Sequence, residues 1–139
     1  MITVTRLRAA DVDQFWPLFA EGMHRSCVKS GGQLSAAYLW QECRADRAFL
    51  YVVHEDNDIL GAAVFAFRDW PSGVRYQGFG LCGKDAARWF DALHEQARID
   101  GRMGGAVALI DAPRPGLGRK YYKGRPGIKV IQVVYEERL

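Results

Sequence analysis

Two apolar runs, Ala48 to Val53 and Ile59 to Phe67, stand on either side of the turn-rich segment "HEDND" and set the terms for any fold of this chain. Strand-forming residues that close on Asp and Asn from both sides predict an antiparallel hairpin. A second turn, "RDWPSG", predicts a third antiparallel strand over Val74 to Gly80, although Gly78 and Gly80 are poor strand residues. Ahead of the hairpin, "MITVTRLR" alternates apolar and polar residues and reads as an opening strand.

Helical spacing fills the intervals. Val12, Phe15, Trp16, Phe19 and Met23 recur at the period of a helix with Asp11 as its N-cap and Pro17 near its first turns. Leu34, Tyr38, Leu39 and Cys43 mark a second helix. Ala86, Trp89, Phe90, Leu93 and Ala97 mark a third, starting at Asp85 and ending at Gly101. "GAVALIDAP" then reads as a short buried strand, "PGLGRKYYKG" as a short helix, and "IKVIQVVYEERL" as a β-rich tail. The order predicts an α+β fold with one strand, helix, strand crossover, parallel and right-handed.

At 139 residues the chain fits one domain, 1–139, without linker, repeat or low-complexity segment. It has neither a signal-peptide layout at the start nor an apolar run of membrane-spanning length, so the expected location is the cytoplasm and no membrane partner is expected. Cys27, Cys43 and Cys82 lack the spacing of a zinc site or a disulfide framework, and no metal is expected. Charge is uneven. Arg114, Arg119, Lys120, Lys123, Arg125 and Lys129 fall in one stretch that holds no acidic residue, while the rest of the chain is mildly acidic. Such a stretch suits an anion or a solvated face.

"GFGLCGKDAARWF" contains a GxGxxG pattern in Gly78, Gly80 and Gly83. A dinucleotide site of this kind needs an acidic residue on the next strand; Asp100 falls at a suitable distance but at the end of a helix, and the chain is too short for two nucleotide-binding halves. A Walker motif is absent, since Asp85 follows Gly83 and Lys84. Two readings stay open: a helix N-terminus with Lys84 that binds an anion, or glycines that permit a sharp strand-to-helix turn capped by Asp85.

The opening "ITVTRLRAADVDQF", the order of elements over essentially the whole chain, and the ending "RKYYKGRPGIKVIQVVYEERL" together resemble the GNAT family of N-acetyltransferases. That resemblance implies a mixed central sheet with helices on both faces and a fourth and fifth strand that splay apart to admit acetyl-CoA as cosubstrate. The family's pyrophosphate loop is matched by "QGFGLC", Gln77 to Cys82, with Cys82 where glycine or alanine is usual. The expected cofactor-binding set is therefore Gly80, Leu81, Cys82, Gly83 and Lys84, with Arg119 and Lys120 offering charge to the CoA phosphates.

Amine attack on a thioester needs a base, a donor for the oxyanion and an acid for the thiolate. By resemblance the acid is Tyr121 or Tyr122, and the doublet leaves the choice open. The family's strand glutamate has no counterpart here, so His54 and Glu55 are the nearest substitutes and Glu55 the candidate base. Cys82 beside Lys84 is a candidate nucleophile, against a structural cysteine. His24 and His94 read as structural or exposed. The expected function is acyl transfer to the primary amine of a small molecule, peptide or protein, with "KSGGQLSAAYLW" and "RDWPSG" as the acceptor-facing loops. The alternative is a catalytically degenerate GNAT-like protein, for example from a phage, that binds a protein partner through aromatics such as Trp70. Nucleic acid is not expected as a partner: Tyr121 and Tyr122 in a basic stretch are its only support.

Overall fold

The computed structural model describes residues 1–113 and 115–139. Five strands, β1 (Ile2–Arg6), β2 (Phe49–Glu55), β3 (Asp58–Trp70), β4 (Gly73–Gly83) and β5 (Ala108–Asp111), lie in sequence order across one sheet. Neighbours are antiparallel except β4 and β5, which are parallel. The helices are α1 (Val12–Phe15), α2 (Ala20–Lys29), α3 (Ala36–Arg44), α4 (Ala86–Met103) and α5 (Pro115–Tyr121).

The apolar hairpin places helices on both faces. Its strands carry buried residues consecutively, and the two-residue alternation of a strand sorts them to opposite sides. Leu50, Val52, Ala62 and Val64 pack with Val12, Trp16, Met23 and Leu39 of the N-terminal helices. Tyr51, Val53, Ala63 and Phe65 pack with Trp89, Leu93 and Ala97 of α4. A buried polar group fixes α4 in place: Tyr51 Oη donates to Asp100 Oδ2 at 2.7 Å and lies 2.6 Å from Tyr76 Oη, while Gln96 donates to Asp100 Oδ1 at 3.1 Å. Asp100 thus serves the sheet-to-helix contact, not a ribose.

Several expectations need correction. The first helix is not continuous: Pro17 sits in a 3-10 turn, Trp16–Leu18, between α1 and α2, because proline has no N–H for the helical ladder. Strand β4 runs through Gly83 instead of stopping at Gly80, since its glycines pair with β3 as far as Gly61. Helix α4 continues past Gly101 to Met103. Asp85 does not cap it with its side chain and adopts a left-handed backbone, φ 55°. The tail 128–139 forms no strand, and Val130, Val133, Val134 and Tyr135 are exposed. Its apolar pattern fits a strand, but among the described residues it has no ladder partner. Among the described residues, no helix is long and apolar enough to cross a membrane.

Candidate active site

The site is built on a fork. Strand β5 pairs with β4 only from Arg75 to Gly78, with Gly78 opposite Asp111. Beyond that point β4 continues to Gly83 beside β3, while β5 has ended. A bulge sits at the branch. Gly78 is opposite Phe65 and Gly80 opposite Val64, which leaves Phe79 as an extra residue. An extra residue reverses the alternation of faces and turns the strand beside the fork.

The three glycines answer to packing. A Cβ at Gly78 would come within 3.2 Å of the Phe65 ring and 3.7 Å of Asp111 Cγ. On the opposite face, a Cβ at Gly80 would lie 3.0 Å from Met23 Sδ and 3.2 Å from the Leu39 side chain. Gly83 has φ +137°, and a Cβ there would meet Leu60 O at 2.3 Å. The GxGxxG pattern is therefore one strand pressed from two sides and then turned sharply into α4.

That extension of β4 shortens the expected anion loop. Gln77 to Cys82 lie within the strand, and only Lys84 and Asp85 connect Gly83 to α4. Lys84 N donates to Leu60 O at 2.9 Å, and Leu81 N reaches Ser26 Oγ on α2 at 3.4 Å. The backbone cradle expected at 80–84 is thus largely taken up within the protein. What stays is the first turn of α4, whose leading amides lack helical acceptors and receive no side-chain cap from Asp85.

Across the fork the tyrosine doublet resolves into two roles. The Tyr121 ring is buried and stacks on Phe90, with centroids 4.1 Å apart and planes 14° apart. Tyr122 turns the other way. Its Oη lies 2.7 Å from Asp111 Oδ2 and 2.9 Å from His94 Nε2, and His94 Nδ1 lies 3.0 Å from Phe90 O. Burial pushes the Tyr122 phenol well above its ordinary range, and Asp111 adds to that push. Burial also raises the Asp111 carboxyl, against hydrogen bonds from Tyr122 and the Ala112 backbone that pull it down, and burial lowers His94. Neither Asp111 nor His94 announced itself in the sequence, because they come from different elements and share no local spacing with Tyr122.

No protein-family model matches the chain, and no curated protein matches it either. Solved structures do. A GCN5-related N-acetyltransferase from Ralstonia eutropha JMP134 superposes with TM-score 0.73 at 14% identity, covering 99% of each chain. A ribosomal-protein-alanine N-acetyltransferase from Brucella melitensis biovar Abortus 2308 gives TM-score 0.71 at 18% identity, over 100% of this chain and 99% of that one. The chain has the GNAT fold. A predicted acetyltransferase with acetyl-CoA from Clostridium acetobutylicum adds TM-score 0.66 at 13% identity, over 99% and 96%. The mixed sheet of the GNAT fold, with β4 and β5 parallel and then diverging, is the architecture seen here.

On this GNAT scaffold the remaining candidates scatter. Glu55 ends β2, far from the fork in strand order, with both carboxylate oxygens 2.9 Å from Arg88 Nη2. That ion pair holds its carboxyl below the usual range, the opposite of what a general base needs. His54 is tied to Asp56 O at 2.9 Å in the same hairpin end. Cys82 is no activated nucleophile: it lies in β4 against Gly22 of α2, and burial pushes its thiol up to about 11. Lys84 Nζ pairs with Asp58 at 3.5 Å. Arg119 and Lys120 are exposed on α5, with Lys120 over the Tyr121 ring at 5.3 Å. Arg114 lies outside the described residues. Trp70 is exposed at the hairpin end under Arg75, with the guanidinium 4.9 Å from its ring. Among the described residues, no group of three or more His, Cys, Asp or Glu is placed to hold a metal.

On the α3 side of the bulge lies a cavity of about 270 Å³, walled in part by Tyr38, Glu42, Arg47, Arg68 and Phe79. Tyr38 Oη donates to Glu42 at 2.9 Å, and Arg47 pairs with the same carboxylate, holding it ionised. Arg68 lies 4.6 Å from the Phe79 ring.

Proposed function

We propose that this chain is an acyl-CoA-dependent N-acyltransferase that uses acetyl-CoA and acts on a primary amine. The observation that carries the reading is the fork: a length of β4 past Gly78 that pairs with β3 but no longer with β5, with the bonded hydroxyl of Tyr122 at the branch. The neighbours that share the fold and bear acetyltransferase names support it. In this reading the thioester lies in the fork and the phosphates lie toward the first turn of α4, with Lys84, Arg119 and Lys120 as screening charges. The amides of Gly80, Leu81, Cys82 and Gly83 contribute less than a full loop would. Tyr122 serves as the acid, and Tyr121 holds α5 against α4. The acceptor approaches from the Tyr38 and Phe79 cavity, whose one carboxylate, Glu42, is already paired with Arg47 and lies beside Arg68.

Titration calorimetry with acetyl-CoA and with CoA is the test. Micromolar binding is expected, and an absence of heat at millimolar ligand removes the proposal. A second reading, a GNAT-fold protein that works by binding a protein partner, draws on the shortened loop and on the exposed Val133, Val134 and Tyr135. A stoichiometric partner recovered without CoA, and kept when both tyrosines are changed to Phe, would favour it.

A further inference from the structure

The hydrogen-bond partners of Asp111, Tyr122 and His94 fix how many protons their chain must hold. A backbone carbonyl only accepts, so the contact between His94 Nδ1 and Phe90 O requires a proton on Nδ1. Two short contacts remain, His94 Nε2 to Tyr122 Oη and Tyr122 Oη to Asp111 Oδ2, and each needs its own proton. The phenol supplies one. The other must come from Nε2 as imidazolium or from Asp111 as carboxylic acid. Neutral histidine, phenol and carboxylate together fall one proton short, and a missing proton would set two lone pairs against each other at 2.7 or 2.9 Å.

We propose that Asp111 and His94 are positioning residues that keep a surplus proton on Tyr122's hydrogen-bond chain, and that this reserve makes Tyr122 an effective acid at the fork. The proposal rests on the acyltransferase reading above. A buried phenol alone is a poor donor, because its proton leaves a phenolate behind. With the reserve, the amine nitrogen bonds to the acyl carbon as the carbon–sulfur bond breaks. The Tyr122 O–H proton leaves its bond to His94 Nε2 and passes to sulfur, and the Asp111 proton passes to the phenol oxygen. Asp111 becomes a carboxylate and regains a proton from water, which its exposed side can reach; the amine's own proton leaves to solvent. Groups that bear on the chain's protonation are Asp91 and Arg98 of α4 and Arg125 beyond α5. Arg125 is itself paired with Asp91 at 2.8 Å. Burial raises the Asp111 carboxyl and lowers the His94 imidazole, so both shifts move the surplus proton toward Asp111.

Nuclear magnetic resonance on the intact protein tests the chain without any ligand. The Asp111 carboxyl carbon, assigned with Asp111→Asn, and the His94 ring nitrogens, assigned with His94→Gln, are followed against pH. The expected result at about pH 6, well above the ordinary aspartate range, is one proton more than neutral His94 with ionised Asp111, held on either group. Ionised Asp111 beside neutral His94 at that pH overturns the proposal. Turnover supplies the second arm, as thiol release from acetyl-CoA with hydroxylamine as a generic nitrogen nucleophile. Asp111→Asn should lower kcat by about 10- to 100-fold with KM for acetyl-CoA within about twofold, since general acid steps contribute on this scale or above. An unchanged kcat also overturns it. Absence of CoA binding in calorimetry would defeat the acyltransferase reading while leaving the proton count standing, so the two failures are distinct.

Discussion

Gly78 lies under the Asp111 carboxyl: the two residues are paired across β4 and β5, and a Cβ on Gly78 would approach Asp111 Cγ to 3.7 Å and the Phe65 ring to 3.2 Å. A methyl is tolerated with a small shift of Phe65; a branched side chain is not. Gly78→Val should destabilise by about 1–3 kcal/mol through overpacking and should displace Asp111 from Tyr122. Urea unfolding measures the first effect. The second appears as a return of the Asp111 carboxyl toward an ordinary titration.

Gly83 separates a packing glycine from a phosphate-cradling one. Its φ of +137° and the 2.3 Å approach to Leu60 O leave no room for a side chain. Gly83→Ala should cost about 2 kcal/mol or more, since strained backbone alone costs on the order of 1–3 kcal/mol. If the residue served mainly to admit a diphosphate, stability would hold while affinity for CoA fell. Comparing unfolding with calorimetry on the same variant decides between them.

The fold was legible where periodicity met burial. The hairpin runs, the Trp89 and Leu93 stripe and the short strand before Asp111 are all patterns in which one residue's neighbours in sequence report its face. Strand β4 was harder, because Gly78 and Gly80 look like strand breakers until the Phe65 ring and Met23 are seen to need their space. Pro17 belongs near a helix start, as its chemistry requires, but in the turn leading into α2 rather than in one long helix. At the site, the sequence singles out Tyr122 within a doublet and His94 only as a structural or exposed residue, and it gives no sign of Asp111. His94 is 28 residues away and Asp111 is 11, and only the β4, α4, β5 crossover brings the three together. The tail misled for a different reason: an apolar pattern states what a segment can pair with, not that a partner is present.

The tyrosine doublet makes a paired prediction. Tyr121→Phe keeps the stack on Phe90 and should change stability by less than about 0.5 kcal/mol. Tyr122→Phe removes the hydroxyl between Asp111 and His94, leaves the buried His94 Nε2 without its partner, and should cost about 1–3 kcal/mol. Thiol release should fall with the second change and not with the first. Equal effects on turnover would remove the distinction drawn between the two rings.

The pH dependence of stability follows from the opposed shifts of two members of the chain. Asp111 is raised above its ordinary 3.8, so its contribution is present in full below that value and is lost as pH rises through its folded pKa. His94 is lowered from 6.5, so its contribution is present above 6.5 and is lost as pH falls through its folded pKa. Between those ordinary values Asp111 favours the native chain's binding of a proton and His94 the unfolded chain's, so the two contributions oppose each other. Replacing Asp111 with Asn removes only the first member. The wild-type Tm should therefore change less with pH, from this source, than that of Asp111→Asn, which should lose stability progressively as pH falls from about 6.5 toward 5. Thermal unfolding of both proteins in matched buffers measures the difference. If the variant is as flat as the wild type, His94 is not held neutral by burial, and the carboxyl at residue 111 is not what balances it.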